Sequence, residues 1–404
     1  MTPAETDGWS DRFDASMMRT LPTPPLMLVR GEGCRVWDSE GAEYLDFLAG
    51  IAVNSLGHAH PVLVDAVSRQ IATLAHVSNY FATPPEIELA ERLKRLTGAG
   101  LEGRVFFGNS GAEANEAAFK LARRNRRSGA SRIIALNNSF HGRTMGAMAL
   151  TGKPAMREPF EPMPGGVEHI DTSIEALEAT IDDTVSAIII EPIKGEAGVL
   201  DLPDGYLARA RELTAEHGVL LILDEIQTGI GRTGRWFGFE HAGIVPDAIT
   251  LAKGMAGGVP IGALVTFGWA SDLFARGQHG STFGGNPLAT AAANAVLGEI
   301  EASGLVENAA ARGSQLRALI DGELRSVPGG DVLDELRGAG LLIGVGLTRP
   351  IGHELYDAAL NAGLIVNAPN DSSIRIAPPL IVGDTEIDDF ARRFTVALAA
   401  VSTR

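Results

Sequence analysis

The sequence predicts an α/β fold, with one large domain built on a mostly parallel β-sheet and a smaller α+β domain beside it. Short apolar runs alternate with stretches of helical periodicity through the middle of the chain, which is typical of strand, crossover helix and parallel strand. Most of these runs are unbroken, as expected for strands that helices cover on both faces. After about residue 300 the pattern changes to short strands set between helices.

Length, charge and cysteine content narrow the possible classes of protein. A chain of 404 residues is long enough for two domains, or for one large domain with an appendage. The net charge of -16 repels a phosphate backbone, which argues against nucleic acid as a partner. Cys34 is the only cysteine, so no intramolecular disulfide can form. Because the sequence shows neither a signal peptide nor an apolar run of membrane-spanning length, we expect a cytoplasmic protein without a membrane partner.

We expect residues 1–51 to form an N-terminal segment that contributes to the smaller domain. Within it, residues 29–47 predict a β-hairpin that turns at Ser39-Glu40-Gly41. We expect the large domain to follow over residues 52–300. Its strands are predicted at residues 104–107, 132–136, 186–190, 219–223, 248–251 and 262–267.

The sequence indicates where several helices of the large domain and of the smaller domain begin or end. Asp204 is expected to cap a helix that ends at Gly218. Asn286, which is followed by a proline, begins an alanine-rich helix. We expect the smaller domain over residues 301–404, where Asp384 caps the final helix. The strands of this domain are predicted at residues 341–347, 363–366 and 374–376.

Charged residues follow three of the predicted strands of the large domain. Glu191 and Asp224 each come directly after an apolar run, and Lys253 comes one residue after another. Ligands of doubly wound sheets bind at the carboxyl ends of the strands. A single charge there commonly marks the point where the chain reaches water. Two acidic residues and one basic residue at neighbouring strand ends instead indicate a binding site.

A helix start follows the predicted strand at residues 104–107. Ser110 and Glu113 have the spacing of a capping box. The backbone N–H groups of Gly111 and Ala112 stay free at the positive end of the helix. This arrangement can hold a phosphate, and the alternative is an ordinary capped helix without a ligand.

A phosphate site, a carboxylate and an amine at neighbouring strand ends together fit pyridoxal phosphate. The aldehyde of this cofactor forms a Schiff base with a lysine, and its ring nitrogen works as an electron sink when an acidic partner keeps it protonated. Lys253 is predicted to be that lysine, and Asp224 is predicted to be that acidic partner.

Six segments resemble the class III pyridoxal-phosphate-dependent aminotransferases. They are GAEAN at 111–115, FHGRT at 140–144, EPIKGEAG at 191–198, DEIQTG at 224–229, LAKG at 251–254 and HGSTFGGNP at 279–287. Within this family the chain is most similar to enzymes that act on N-acetylornithine, especially through GIAVNSLGHAHP at 50–61. Matching segments run from residue 31 to residue 379, nearly the whole chain.

The resemblance implies a fold-type I homodimer with a mostly parallel seven-stranded sheet and with active sites at the subunit interface. It implies that Phe140 stacks on the pyridine ring and that Gln227 contacts the side of the ring that carries the hydroxyl group. The residues implied to bind the cofactor are Ser110, Gly111, Ala112, Phe140, His141, Glu191, Asp224, Gln227 and Lys253, with Ser281 and Thr282 reaching the phosphate from the partner subunit.

The resemblance also implies the substrates and the residues that bind them. Arg143 would hold the α-carboxylate of the donor. Arg375 would pair with Glu196 while the donor is bound and would then take a carboxylate of the acceptor, 2-oxoglutarate. Arginine matches a carboxylate with two parallel hydrogen bonds, so a dicarboxylic acceptor suits two arginines in an otherwise acidic protein.

The implied reaction moves the terminal amino group of N-acetylornithine to 2-oxoglutarate. Its products are N-acetylglutamate 5-semialdehyde and glutamate, in a step of arginine biosynthesis. Lys253 is expected to act twice, first as the residue that binds the cofactor and then as the general base and acid that moves the substrate proton.

Several alternatives stay open at this point. Related enzymes of the family act on ornithine, succinylornithine, succinyl-diaminopimelate or 4-aminobutyrate, and Leu21 stands where many members have a tyrosine. A second alternative is a protein that binds the cofactor without turnover. A third is a nicotinamide oxidoreductase, because GIGRTG at 229–234 matches a dinucleotide fingerprint, although its context predicts a loop. His58 and His60 have no companion cluster of zinc spacing, so no metal site is expected.

Overall fold

The structure, a computed structural model, describes residues 8–126 and 129–402. Its N-terminal part is an antiparallel meander of three strands, β1 (Leu28–Glu32), β2 (Arg35–Asp38) and β3 (Glu43–Asp46). The predicted turn between residues 38 and 43 is confirmed. The prediction of a single hairpin is wrong, because β1 and β2 are joined by a two-residue turn that is too short to show as a polar gap in the sequence.

The middle of the chain forms a seven-stranded sheet. The strands of this region are β4 (Arg104–Gly108), β5 (Arg132–Leu136), β6 (Val167–Ile170), β7 (Val185–Ile190), β8 (Ile193–Lys194), β9 (Leu200–Asp201), β10 (Leu220–Asp224), β11 (Ala248–Leu251) and β12 (Gly262–Thr266). The sheet has the order β4-β12-β11-β10-β7-β5-β6, while β8 and β9 pair separately. Six of the strands run in one direction, and β12 runs in the opposite direction between β4 and β11.

All six strands predicted for this region are confirmed to within one residue at each end. The seventh, β6, was missed because it lies at the edge of the sheet, where the short sequence VEHI interrupts its apolar residues with a charged one and with a histidine. Every residue of β7, β10, β11 and β12 is buried. Burying a side chain such as leucine or isoleucine contributes about 1.5–3 kcal/mol to stability. These strands therefore hold the residues that follow their carboxyl ends in fixed positions.

Thirteen helical segments are assigned within the described residues, and one of them, Ala49–Ala52, is left-handed. They are Trp9–Ser16, Ala49–Ala52, Pro61–Thr73, Pro84–Thr97, Gly111–Arg124, Met145–Leu150, Pro154–Arg157, Ile174–Thr180, Tyr206–His217, Pro287–Ala302, Leu305–Asp321, Gly352–Asn361 and Asp384–Ser402. In the part of the chain that the structure describes, no helix has the length and apolar character needed to cross a membrane.

The predicted helix caps have mixed outcomes. Asn286 is confirmed as a cap, because its Oδ1 accepts a hydrogen bond from Ala289 N at 2.9 Å. Asp204 is wrong as a cap: the next residue, Gly205, takes the N-cap position with a left-handed backbone that a glycine adopts without strain. Asp384 is the first residue of the last helix, and its carboxylate pairs with Arg312.

The C-terminal part forms a second antiparallel sheet. Its strands are β13 (Leu333–Ala339), β14 (Leu342–Leu347), β15 (Leu364–Ile365), β16 (Asn367–Asn370) and β17 (Ser373–Ile376). Four of them form the order β13-β14-β17-β16, whereas β15 pairs in parallel with β3 of the N-terminal meander. The sequence missed β13 and β16, both of which are largely polar or half-buried. The domain boundaries near residues 52 and 300 stay a prediction.

The segment after β3 makes one turn of left-handed helix. Ala49, Gly50, Ile51 and Ala52 have φ values of 53°, 63°, 66° and 59°. Residues with a side chain avoid this region at a cost of about 1–2 kcal/mol each. The turn is held by Asp46, whose Oδ1 accepts hydrogen bonds from Leu48 N at 3.0 Å and Ala49 N at 2.8 Å. Its sequence, AGIA, shows nothing of this handedness.

Candidate active site

A cavity of about 430 Å³ opens at the carboxyl ends of β7, β10 and β11. It brings together residues from five of the six segments that resemble the family. The predicted site residues that line it are Ser110, Gly111, Ala112, Phe140, His141, Arg143, Glu191, Glu196, Asp224, Gln227 and Lys253. Ser281, Thr282 and Arg375 were also predicted, but they do not line this cavity of their own chain.

Lys253 enters the cavity from a short 3₁₀ turn that follows β11. Its backbone has φ 38°, which is unusual for a residue with a side chain. Burial lowers the pKa of the amine, and the nearby Arg375 lowers it further against the opposite effect of Glu196. The amine makes no hydrogen bond to any described residue. A partly buried amine with a lowered pKa and no hydrogen-bond partner is suited to nucleophilic attack on a carbonyl carbon.

Asp224 is the last residue of β10 and is fixed from three sides. Its Oδ2 accepts hydrogen bonds from Asn115 Nδ2 at 2.8 Å and from His141 Nδ1 at 2.7 Å, and its Oδ1 accepts one from Ile226 N at 3.1 Å. His141 is buried, and its Nε2 has no hydrogen-bond partner among the described residues. His141 therefore orients this carboxylate, besides lining the cavity.

Asn115 also belongs to the site, although the sequence did not predict a role for it. It lies one turn after Gly111 on the same helix, and its amide also donates to His141 O at 2.6 Å. A residue four positions after a helix start lies on the same face of the helix as that start. This spacing was a usable signal for a contact with the end of β10.

Glu191 follows β7 and supports the neighbouring aromatic residue. Its Oε2 accepts a hydrogen bond from Phe140 N at 2.9 Å. Burial raises the pKa of Glu191 to about 7; His141 opposes this, whereas Asp224 adds to it. The structure thus gives Glu191 a contact that fixes the backbone of Phe140, in addition to its place in the cavity wall.

The helix that starts at Gly111 presents its N-terminus to the cavity. Ser110 Oγ accepts from Glu113 N at 3.2 Å, whereas the Glu113 carboxylate accepts from Asn109 N and not from Ser110 N, so half of the predicted capping box is present. The N–H groups of Gly111 and Ala112 have no partner among the described residues. A Cβ on Gly111 would come within 2.8 Å of Ile226 Cδ1, which explains the glycine.

Arg375, on β17, reaches the site from the C-terminal sheet and is 2% exposed. Its Nη1 donates to Glu196 Oε1 at 2.6 Å and to Gln227 Oε1 at 3.3 Å. Its Nη2 donates to Asn367 Oδ1 at 2.8 Å. Burial raises the pKa of Glu196, but the charges of Arg375 and Lys253 outweigh this effect and leave that pKa below its ordinary value. The predicted partners Glu196 and Arg375 are thus in contact.

Arg143 lies at the mouth of the cavity and is exposed. Its guanidinium carbon is 5.9 Å from the centre of the Phe140 ring, and it has no ion-pair partner among the described residues. Ser281 Oγ accepts from Asn109 Nδ2 of the same chain at 3.1 Å, beside the helix start. Thr282 is exposed. The two arginines therefore differ, since Arg375 is paired with a carboxylate whereas Arg143 has no ion-pair partner among the described residues.

The remaining motifs have structural explanations. The GIGRTG segment forms turns and is followed by a short 3₁₀ helix, Gly238–Ala242, so the geometry of a dinucleotide fingerprint is absent there. His58 Nε2 contacts Asp46 Oδ2 at 2.8 Å. Over residues 8–126 and 129–402, no group of three or more histidine, cysteine, aspartate or glutamate residues is arranged to hold a metal ion.

The groups that face the cavity fit a phosphorylated pyridine aldehyde. Two backbone N–H groups without partners lie at a helix N-terminus, which suits a phosphate dianion. The fixed carboxylate of Asp224 suits a protonated ring nitrogen. The amine of Lys253, which makes no hydrogen bond, suits the aldehyde.

Comparison with known proteins agrees with this geometry. The profile of the family described as aminotransferase class-III matches residues 17–398. The chain belongs to this family. The family match confirms the predicted family, the aminotransferase activity and pyridoxal phosphate as the cofactor, and the seven-stranded sheet confirms the α/β fold class.

Individual relatives cover nearly the whole chain. An acetylornithine aminotransferase from Streptomyces coelicolor is 50% identical over 383 residues, which are 94% of this chain and 93% of that protein. One from Mycobacterium tuberculosis is 50% identical over 394 residues, with 97% and 96% covered. A solved ornithine aminotransferase from Toxoplasma gondii, with partial occupancy of pyridoxal phosphate at its active site, superposes with a TM-score of 0.92 at 33% identity, with 98% and 94% covered.

Proposed function

We propose that this class-III aminotransferase moves the terminal amino group of N-acetylornithine to 2-oxoglutarate and so forms N-acetylglutamate 5-semialdehyde and glutamate. The observation that carries the proposal is the difference between the two arginines: Arg143 is exposed at the mouth of the cavity, whereas Arg375 is paired with Glu196. Such a pair suits a donor with one carboxylate and an acceptor with two. Relatives at 50% identity that are named acetylornithine aminotransferase support the same substrate.

The residues of the cavity have distinct proposed roles toward the cofactor. When bound, pyridoxal phosphate supplies an electrophilic aldehyde and a ring that withdraws electrons from the substrate carbon. Asp224 would hold the proton of the ring nitrogen, and His141 and Asn115 keep its carboxylate in place. Gly111 and Ala112 would donate their N–H groups to the phosphate, next to the Ser110 cap.

Lys253 is proposed as the residue that moves the proton. Once substrate displaces it from the cofactor, its amine would take the proton from the substrate carbon and later return it. The lowered pKa that burial gives this amine increases the share of the neutral, basic form at neutral pH. Phe140, held by Glu191 through its backbone N–H, would lie against the ring, and Gln227 would lie on its hydroxyl side.

Donor choice follows from the way in which the carboxylates of the cavity are already paired. N-acetylornithine presents one carboxylate, one neutral amide and the reacting amine, whereas ornithine carries a further ammonium group. The carboxylates that line the cavity are already engaged: Glu196 by Arg375, Asp224 by His141 and Glu191 by the Phe140 N–H. A second ammonium would lose its hydration without gaining a partner. The cavity therefore favours the acetylated donor.

A homodimer and a cytoplasmic location are part of the proposal. The helix Pro61–Thr73 has no buried residue. Large apolar side chains on or near this helix are exposed, namely Tyr80 at 92%, Phe81 at 68%, Phe283 at 61% and Ile71 at 57%. Apolar surface of this kind is typical of a protein interface. Thr282 adjoins this surface, which supports the idea that residues 281 and 282 serve the partner's cofactor site.

The test combines a spectrum with a panel of donors. Purified protein should show visible absorption from the lysine-bound cofactor, and Lys253→Ala should lose that absorption and slow turnover by about a thousandfold or more. With 2-oxoglutarate as acceptor, kcat/KM for N-acetylornithine should exceed that for ornithine by about tenfold or more, which is about 1.4 kcal/mol. Equal efficiency with ornithine would contradict the donor assignment. Full turnover by Lys253→Ala would contradict the whole proposal.

A further inference from the structure

A buried serine outside the cavity contacts the backbone of the turn that carries Lys253. Ser55 is 2% exposed, and its Oγ donates to the carbonyl oxygen of Gly254 at 3.1 Å. Its own carbonyl oxygen accepts from Leu380 N at 2.8 Å. Leu380 lies five residues after Arg375, so one residue touches both the lysine turn and the segment that follows β17.

The lysine turn has little support of its own. It is a single 3₁₀ turn without a side-chain cap, and Lys253 has φ 38°. A strained backbone of this kind persists only where its surroundings hold it. A Cβ on Gly254 would come within 2.6 Å of Ser55 Oγ, so this position needs a residue without a side chain for the contact to form. The serine hydroxyl is the nearest side-chain atom to that point.

Ser55 is in turn placed by the left-handed turn before it. Asn54 N donates to Ala49 O at 2.9 Å, and Ser55 N donates to Val53 O at 2.9 Å. The start of the turn is fixed by Asp46, which also contacts His58. A continuous set of contacts therefore runs from Asp46 through the left-handed turn to the carbonyl group next to Lys253.

We propose that Ser55 is a positioning residue for Lys253. The left-handed turn fixes Ser55, and the Ser55 hydroxyl fixes the backbone at Gly254 so that the lysine amine stays in the cavity. The charged groups that surround this amine are Glu196, Arg375, Asp224 and Glu191. This inference rests on the proposed role of Lys253, but it can be tested in protein that carries no cofactor.

The test measures the lysine itself in Ser55→Ala. Cofactor-free protein is labelled with acetic anhydride across a range of pH, and the modified fraction of Lys253 is measured by peptide mass spectrometry. Loss of the hydroxyl should loosen the turn and move the labelling profile to higher pH, because the amine becomes better hydrated. In the loaded enzyme, kcat should fall about tenfold while KM for the donor changes by less than about threefold.

Ser186→Ala is the matched control. Ser186 is equally buried, and its hydroxyl also donates to a backbone carbonyl, that of Arg132 at 2.9 Å, at the start of β7 and away from the cavity. This control should leave both the labelling profile and kcat unchanged. Ser55→Thr keeps a hydroxyl and should keep the profile closer to that of the original protein than Ser55→Ala does.

The outcomes separate this inference from the proposed function. A folded Ser55→Ala variant with the original labelling profile and kcat would overturn the positioning role. If Ser55→Ala alone does not fold, the double variant Ser55→Ala, Gly254→Ala fills the vacated space with the new Cβ and is measured in its place. Full turnover by Lys253→Ala would instead overturn the proposed function, and the labelling result on Ser55 would still stand.

Discussion

At the scale of single residues, the charged groups of the site differ in what holds them. Asp224 is fixed by His141 and Asn115, and Arg375 is fixed by Glu196, whereas the amine of Lys253 and the guanidinium of Arg143 have no hydrogen-bond or ion-pair partner among the described residues. A group that is already paired acts mainly by its charge and position. The two groups without partners are therefore those that substrate and cofactor can engage first.

The two arginines should affect different halves of the reaction. Arg375→Ala should slow the half-reaction with 2-oxoglutarate by about a hundredfold, because a bidentate contact to the second carboxylate is lost. Arg143→Ala should weaken the donor half-reaction. Stopped-flow absorption measures each half-reaction separately. Arg375→Lys keeps the charge without the planar guanidinium and should recover only part of the rate. An Arg375→Ala variant that is slow only with the donor would reverse the proposed roles.

Glu191 should make stability depend on pH near neutrality. Burial raises its pKa from an ordinary 4.5 to about 7. The folded protein then binds this proton more tightly than the unfolded chain does, so the resulting stabilisation is complete below about pH 4.5 and is lost as pH rises through about 7. Glutamine still accepts a hydrogen bond from the Phe140 N–H but does not ionise.

As the pH rises from about 5 to about 7.5, the free energy of unfolding should therefore fall less for Glu191→Gln than for the original protein. The difference between the two changes should reach up to roughly 3 kcal/mol. Thermal midpoints at fixed protein concentration across this range measure the difference. Glu102→Gln, at an exposed position, serves as the control and should leave the pH dependence as it is. Parallel curves for the original protein and Glu191→Gln would show that another group titrates.

At the scale of elements, the sequence predicted what depends on local pattern and missed what depends on distant contacts. The strands that end at Ile190, Asp224 and Leu251 were predictable because a fully buried strand consists largely of an unbroken run of apolar residues. The edge strand β6 carries no such run. The contact between Glu196 and Arg375 joins residues 179 positions apart, and only the family resemblance indicated it.

The left-handed turn is the clearest case of a feature that local pattern cannot show. Its residues are small or apolar and suit a right-handed helix equally well. Their handedness depends on Asp46, which binds the first N–H groups, and on the contacts of Ser55 with Gly254 and Leu380. Those partners come together only in the folded protein.

This turn should respond to glycine in the opposite way from an ordinary helix. Ala52 has φ 59°, where glycine avoids a cost of about 1–2 kcal/mol, so Ala52→Gly should be neutral or stabilising by up to about 1 kcal/mol. Ala293, buried within Pro287–Ala302, is the matched control, and Ala293→Gly should destabilise by about 1 kcal/mol or more. Thermal midpoints compare the two. Equal destabilisation by both substitutions would mean that the turn stores no strain.

At the scale of the whole molecule, the proposed dimer accounts for surface that the single chain leaves uncovered. Tyr80, Phe81 and Phe283 are exposed on segments that flank the helix Pro61–Thr73, and the rings of Phe283 and His76 lie 5.0 Å apart. If this surface meets a second copy, Thr282, which precedes Phe283 in the sequence, lies at the interface between the two chains. The prediction that Ser281 and Thr282 complete the neighbour's phosphate site then means that the enzyme must form a dimer to be active.

Mixing two inactive subunits tests this sharing. In a mixed dimer of Lys253→Ala and Thr282→Ala subunits, one site would combine an intact Lys253 with an intact Thr282. Random exchange should restore roughly a quarter of the original sites, measured as cofactor occupancy and rate after mixing. Unmixed samples of each variant are the controls. A mixture whose rate equals the mean of its components would show that each site is built from one chain.

The pairing of β4 has a consequence for how the protein is made. This strand leads into the helix start at Gly111, yet its one neighbour among the described strands is β12, where Arg104 pairs with Thr266. Likewise β3, which pairs with β2 on one side, has its other partner in β15, where Leu45 pairs with Leu364. On a nascent chain leaving the ribosome, β4 therefore has no strand partner, and β3 has one of its two, until most of translation is complete. Pairings so distant in sequence form slowly, and the cofactor pocket is among the last parts of the molecule to be finished during synthesis.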